Sequence, residues 1–227
     1  MKRRVSLTEH AYERLRADLL SCRLMPGQKL NINTLCEKMG VSLGAVREAL
    51  SRLTSEGLVT AERAKGFRVT PISSSDLVDL TMVRVEIEAL CVRRAIEFGD
   101  ASWEARLEAA YLKLSRTPNG VPSDPRRLSD AYASAHTEYH EALVSACESE
   151  WLLRLRRQLH AQSERYRRLS LPLSDYERDV NREHGDIMNA ALARDADRTT
   201  ALMEEHLQST TRVLLNAPQF AASREVA

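Results

Sequence analysis

Four of the six histidines, His136, His140, His184 and His206, fall in an order that looks like a metal site. His136 and His140 are four residues apart, so on a helix they share one face about a turn apart. His184 and His206 lie in two further stretches of helical pattern among acidic and apolar residues. Three helices would thus bring four imidazoles to one point. Any one of these histidines alone reads as an ordinary core or surface side chain, as His10 and His160 do. The spacing of the first pair also suggests a zinc hydrolase, but that chemistry needs His-Glu-x-x-His, with the glutamate as base. Thr137 stands in its place and Glu138 comes one residue late. There is no glycine-rich phosphate loop and no Ser/His/Asp set, so a helical-bundle metalloenzyme is a remote reading.

The elements that must carry these residues are mainly helical. Glycine and proline number eight and seven, aromatic residues make up 5%, and long stretches follow a 3.6-residue period. The pattern predicts a first helix from about Thr8, its N-cap, to Cys22, ending in the turn Met25-Pro26-Gly27. A short helix follows from Asn31 to Met39, capped by Asn31 or Asn33 and broken by Gly40. Ser42 then caps a helix from Leu43 to Glu56. Leu58–Ala61 and Phe67–Thr70 favour β-structure and are joined by a short basic turn through Lys65 and Gly66. Pro71 to Ser75 is a polar hinge and Asp76 a cap for the next helix. Further helices are expected over 76–98, 102–116, 124–147, 149–170, 174–194 and 196–215, with a loop at Thr117–Pro122 and a frayed tail over 213–227.

Charge divides the same way. Residues 1–71 carry 13 Lys and Arg against 7 Asp and Glu, net +6, and the remainder 20 against 25, net −5. A basic head on an acidic body points to an anionic partner for the head. No apolar run approaches the roughly 18–20 residues of a membrane span, and Met1-Lys2-Arg3-Arg4 leads into polar residues, unlike a signal peptide. The four cysteines form no CxxC pair, which fits a reducing cytoplasm.

Helix, short helix, turn, second helix and hairpin is the order of a winged helix-turn-helix. Leu35, Met39, Val41, Val46, Leu50 and Leu53 would pack its two helices at a steep angle, leaving the start of the second free to enter a major groove. The runs Pro26-Gly27-Gln28-Lys29-Leu30, Gly40 to Val59 and Lys65-Gly66-Phe67-Arg68-Val69 resemble the N-terminal domain of GntR-family bacterial regulators. The resemblance implies DNA contacts from Ser42, Leu43, Gly44, Ala45, Arg47, Arg52, Lys65 and Gly66. It also shows a departure. Many relatives carry an Arg and a Thr before the Val-Arg-Glu-Ala-Leu motif, and another Arg where Asn33 stands. Each lost bidentate contact is worth about 1–3 kcal/mol. Leu43 and Ala45 would instead touch thymine methyl groups, and the operator should differ from the family's commonest one. Arg52 reads equally well as a solvated or phosphate-facing side chain.

The second half resembles the all-helical FCD domain of the FadR subgroup over about 77–212. The motifs are Val83-Arg84-Val85-Glu86-Ile87-Glu88, His136-Thr137-Glu138-Tyr139-His140, Glu183-His184-Gly185-Asp186-Ile187, and Asp195 through Glu205-His206-Leu207. The resemblance implies a bundle around a pocket with a metal held by one Asp and three His. His136 stands where the family has Asp, and His140, His184 and His206 match its histidines. Four neutral imidazoles leave the ion its full charge and suit zinc, or nickel or copper, better than magnesium or calcium. Three would still make a workable site if His136 faced away. Arg84 either pairs with Glu88 four residues on, a surface effect of a few tenths of a kcal/mol, or clamps an effector carboxylate. Arg165, in the cluster Arg165-Tyr166-Arg167-Arg168, is a second carboxylate candidate that also reads as part of a solvated basic helix end. The chain is thus expected to be mainly α, with a DNA-binding domain over 5–72 and an effector domain over 77–212. The expected protein is a cytoplasmic homodimeric regulator that binds a palindromic double-stranded operator, most simply a repressor released by a small carboxylate. A regulator that senses the metal itself is the alternative.

Overall fold

The computed structural model describes residues 6–63, 65–170 and 178–216. The chain divides into two compact units, Met1–Ser73 and Ser74–Ala227.

In the first unit, α1 (Leu7–Leu20) starts from Ser6 instead of Thr8, because the Ser6 hydroxyl accepts the Glu9 N–H at 3.1 Å. Ser6-Leu7-Thr8-Glu9 has the S-x-x-E pattern of a capping box, which Thr8, itself a good cap residue, obscures. The helix stops short of the expected Cys22, whose φ of 54° lies in the left-handed region. β1 (Lys29–Leu30), α2 (Ile32–Met39) and α3 (Leu43–Ser55) follow. Asn31 caps α2 by accepting from the Thr34 N–H at 3.2 Å, and Ser42 caps α3 by accepting from the Ala45 N–H at 3.3 Å. Between them Gly40 takes φ 65°, the conformation that ends a helix without a Cβ clash. β2 (Val59–Glu62) and β3 (Gly66–Val69) form the hairpin, with Val59 opposite Val69 and Glu62 opposite Gly66. β1 adds to the free edge of β3, Lys29 opposite Arg68. Two residues are too few to show alternation, so the sequence does not announce this strand. Ala11, Leu15 and Leu19 of α1 bury against Val46, Leu50 and Leu53 of α3, against Leu58, and against Val59 and Val69 of the sheet.

The second unit contains α4 (Ser74–Phe98), α5 (Ala101–Arg116), β4 (Gly120–Val121), β5 (Asp124–Leu128), α6 (Asp130–Val144), α7 (Glu150–Ser170), α8 (Val180–Leu192) and α9 (Ala196–Leu215). The helix expected over 124–147 is shorter. Its first five residues pair as β5 with β4, Gly120 opposite Leu128, and α6 starts where the Ser129 hydroxyl accepts the Tyr132 N–H at 3.0 Å. Residues 124–128 use their backbone groups to pair with β4, so the helix begins only at the Ser129 cap. α4 begins at Ser74, and Asp76, expected as its cap, instead accepts a hydrogen bond from the Tyr166 hydroxyl at 2.5 Å. α8 begins at Val180 with Asp179 as its cap; positions 174–177 of the expected helix, and 217–227 of the expected tail, lie outside the described residues.

α4 packs against α7 and α9, α5 against α6 and α8, and α8 against α9. Trp103, Leu107 and Leu114 of α5 meet Tyr139 and Leu143 of α6, Ile187 of α8 and Met203 of α9. The buried Trp103 indole N–H donates to the carbonyls of Ala142 and Leu143, so α5 and α6 are pinned as well as packed. No helix among the described residues is long and apolar enough to cross a membrane.

Candidate metal centre and nucleic-acid interface

α6 presents His136 and His140 on one face, α8 supplies His184 and α9 His206. One ring nitrogen from each lies within 4.8 Å of the others, and all four side chains are buried. Two details of packing make this convergence possible. The Tyr139 hydroxyl, between the α6 pair in sequence, donates to the His184 carbonyl at 2.8 Å and ties α8 to α6. Gly185 lets α8 approach α5: a Cβ there would lie 2.7 Å from the Tyr111 hydroxyl.

Burial, reinforced by neighbouring imidazoles and arginines, holds His136, His140, His184 and His206 below the ordinary histidine pKa. They are therefore neutral at pH 7, each with one lone pair. Nε2 of His136 and Nε2 of His140 face each other at 3.2 Å. Both ring nitrogens of His184, and Nδ1 of His136 and of His140, find no hydrogen-bond partner among the described residues. A buried polar atom left unpaired costs about 1–3 kcal/mol. This donor set fits a divalent transition metal. Nitrogens bound at about 2.0–2.1 Å to one tetrahedral ion lie roughly 3.3 Å apart, close to the separation of the α6 pair.

A carboxylate, which the sequence reading missed, orients one imidazole. Glu183 Oε2 lies 2.7 Å from His206 Nδ1, so His206 donates there and keeps its Nε2 lone pair for the cluster. Arg178 donates to both Glu183 oxygens, at 2.7 Å each. Burial opposes ionisation of Glu183, but the bonds from His206 and Arg178 outweigh it and hold its pKa at about 2. A carboxylate behind a ligating histidine fixes the tautomer and raises ligand basicity. Glu183 adjoins His184 in sequence, yet it serves a histidine on another helix, which no spacing rule reveals.

His136, His140 and His206 also line a cavity walled by Leu77, Thr81 and Arg84 of α4 and His160, Ser163 and Arg167 of α7. Arg84 does pair with Glu88, at 3.1 Å, but the pair is buried, with side chains 11% and 1% exposed, so it is not the surface effect anticipated. Arg84 also donates to Ser163 Oγ at 2.7 Å. Glu88 takes a second bond from Arg156 at 2.7 Å, and Arg156 reaches the His140 carbonyl at 2.8 Å. Desolvation would raise the Glu88 pKa; Arg156 and Arg84 reverse this and lower it. Arg165 is buried, but it is not among the cavity's lining residues and its Nη1 reaches Gln162. At about 100° per residue it stands roughly 200° round the helix from Ser163, and Arg167 lines the cavity in its place. His160, expected to be ordinary, is part of the wall, while His10 is exposed on α1.

In the first unit, Ser42, Leu43 and Gly44 are exposed at the start of α3. Ala45 turns inward and is buried in the core, so it is not placed for the thymine contact expected of it, whereas Leu43 is exposed. Arg47 is exposed one turn along. Arg52 is drawn back onto α1, with its guanidinium 2.7 Å from Glu9 and stacked 3.7 Å over the Tyr12 ring. Its charge is thus partly answered within the unit. Lys65 is exposed at the hairpin turn, where its N–H bonds the Glu62 carbonyl at 3.0 Å and Gly66 takes φ 93°.

Comparison with known proteins matches both units. Residues 7–69 fit the model for bacterial regulatory proteins of the gntR family, and residues 79–209 fit the FCD domain. The chain is 41% identical over 209 residues to the HTH-type transcriptional regulator BphR of Paraburkholderia xenovorans, spanning 92% of this chain and 85% of that one. It is 32% identical to the HTH-type transcriptional repressor GlaR of Escherichia coli, spanning 91% and 94%. The fold superposes on that of E. coli McbR/YncC with a TM-score of 0.78 at 23% identity, covering 92% of this chain and 97% of the other. These relatives and both family models describe regulators and not enzymes. With a winged helix-turn-helix unit followed by an FCD bundle, the chain belongs to the GntR family of DNA-binding transcriptional regulators.

Proposed function

We propose that the chain represses transcription as a homodimer on a palindromic operator and is released by a small carboxylate, a dicarboxylate or hydroxy acid, bound in the bundle cavity. His136, His140, His184 and His206 hold a divalent transition metal, zinc in preference to nickel. The observation that carries this reading is the convergence of four buried, neutral imidazoles at a cavity whose opposite wall presents Arg84. When bound, the ion supplies a positive charge that no carboxylate ligand offsets, which favours an anionic ligand beside it. Glu183 keeps His206 in the ligating tautomer, Arg84 orients the acid, and Leu77 and Leu207 close the cavity with apolar surface. The name of GlaR supports the repressor assignment. DNA reading falls to residues 5–72 and ligand sensing to 77–212.

Release requires that the acid favour one arrangement of the protein over the other. α4 begins directly after the first unit ends, and its Leu77, Thr81 and Arg84 line the cavity, so a ligand there bears on the helix that continues from the DNA-reading unit. The second copy is accommodated by the neighbouring helices α4 and α7. Met82, Leu90, Trp151 and Leu155 are 60%, 49%, 71% and 44% exposed. Asp79 and Glu86 on α4 and Arg154 and Arg157 on α7 are exposed on the same helices, charges of opposite sign that a two-fold pairing could match.

Elemental analysis of the purified chain and of His184→Ala tests the metal. About one equivalent of zinc or nickel per wild-type chain and a clear loss in the variant are expected; full occupancy in the variant rejects the site. Gel shifts with metal-loaded protein should then show operator release by acids. The four nitrogens are also enough to fill a tetrahedral ion, which favours the metal itself as the signal. Release by metal alone, with no response to any acid at saturating metal, selects that second reading.

A further inference from the structure

One imidazole that lines the cavity stands apart from the four that converge. His160 is outside the group of four whose nitrogens converge, and both its nitrogens are turned elsewhere. Nδ1 faces Arg84 Nη2 at 3.5 Å and Nε2 faces Thr137 Oγ1 at 3.5 Å. A guanidinium only donates, so Nδ1 must accept. Burial, with Arg84, Arg156 and Arg167 nearby, keeps the ring neutral, and its one proton therefore sits on Nε2. At 3.5 Å from Thr137 that N–H is at the outer limit of a hydrogen bond and loosely held.

Beside it, Arg84 is fixed by Glu88 and Ser163 but keeps its buried Nε without a partner among the described residues. The acceptors nearby are already engaged. Glu88 receives Arg84 and Arg156, Glu164 receives Arg167 and Arg168, and the Ser163 hydroxyl donates to the His160 carbonyl. This wall thus offers donors in need of oxygen. The histidine cluster adjoins this wall, with the His140 ring centroid 6.1 Å from that of His160, so a small acid in the cavity reaches both.

We propose that His160 is a specificity-determining residue of this cavity: with Arg84 it binds a second oxygen function of a small acid whose first carboxylate lies at the histidine cluster. Resting on the reading of the cavity as the effector site, this assigns to His160 and Arg84 the selection of an acid with a second hydroxyl or carboxylate group. An unsubstituted monocarboxylate leaves buried donors unpaired and is rejected for that reason.

The test uses the zinc-loaded full-length chain and two matched pairs, propionate with lactate and butyrate with succinate, measured by calorimetry. In the wild type the second member of at least one pair should bind about tenfold tighter or better. In His160→Phe, which keeps a ring but no N–H, the preference should fall to about twofold or less with zinc content unchanged. His160→Gln, which restores an N–H donor, should recover much of it, a rescue that a purely structural role would not produce. Equal binding within both wild-type pairs overturns the proposal, as does a preference that survives in His160→Phe. If His160→Phe does not fold, the wild-type pairs and His160→Gln decide, and a Gln variant without any preference counts against the proposal. Acids that bind without regard to His160 defeat this inference alone. A wild-type chain that takes up no zinc and binds no acid defeats the cavity reading and this inference with it.

Discussion

Glu183 and Glu88 are acidic groups that burial alone would tend to neutralise; His206 and Arg178 keep the first ionised, Arg156 and Arg84 the second. Their roles differ. Glu183 acts on the histidine cluster through His206, so Glu183→Ala should lower zinc affinity by about 10- to 100-fold while leaving the helical circular dichroism signal intact; chelator competition measures it. Glu88 joins α4 to α7 through Arg84 and Arg156. Replacing one partner of a buried ion pair costs about 3–5 kcal/mol, so Glu88→Gln should unfold at clearly lower urea concentration. Because the folded Glu88 pKa is lowered, its stabilisation is complete above the unfolded carboxylate value of about 4.3. It is lost as pH falls through the lower folded value. Below about pH 4.3 the wild type should lose stability more steeply than Glu88→Gln, and a denaturation series across that range checks the sign.

Secondary elements show where sequence pattern carries information and where it stops. α2, α3 and the β2–β3 hairpin could be read because Asn31, Gly40, Ser42 and Gly66 each leave a local chemical mark at an end. β1, β4 and β5 could not, since strands of two to five residues show no period and depend on a partner elsewhere in the chain. The convergence of His136, His140, His184 and His206 was suggested by their order and by the four-residue spacing of the first pair, and the family resemblance added the rest, because no local rule says which helix faces meet. Glu183, Arg156 and His160 escaped for the same reason, their partners being contributed by other helices. The Arg165 cluster misled because consecutive basic residues point all round α7, and only position relative to Ser163 selects Arg167. On α3, exposure and the lack of a side-chain bond among the described residues leave Arg47 available for the DNA contact proposed for it. Arg47→Ala should weaken operator binding about tenfold or more at fixed salt with an unchanged melting curve; unaltered affinity in a gel shift refutes its role.

At the scale of the molecule, the exposed apolar residues of α4 and α7 are the feature that a single chain does not explain. An exposed tryptophan in such a patch is the type of residue whose loss costs a dimer about 2 kcal/mol or more. Trp151→Ala should therefore shift the monomer–dimer balance about 30-fold toward monomer in sedimentation velocity, with zinc uptake unchanged. Operator affinity should fall in parallel, since a palindrome is read by two heads. A dimer of wild-type strength in this variant places the two-fold contact elsewhere.

The junction at Ser73 and Ser74 has an engineering consequence. Every side chain placed at an operator precedes it, and every side chain of the histidine cluster and cavity follows it. Address and trigger are written in separate stretches of one chain. Exchanging the first 73 residues for those of another family member would redirect the protein to a new promoter while the chemical it answers to stayed the same. A reporter strain built on such a graft would read out the native effector without its operator ever having been found.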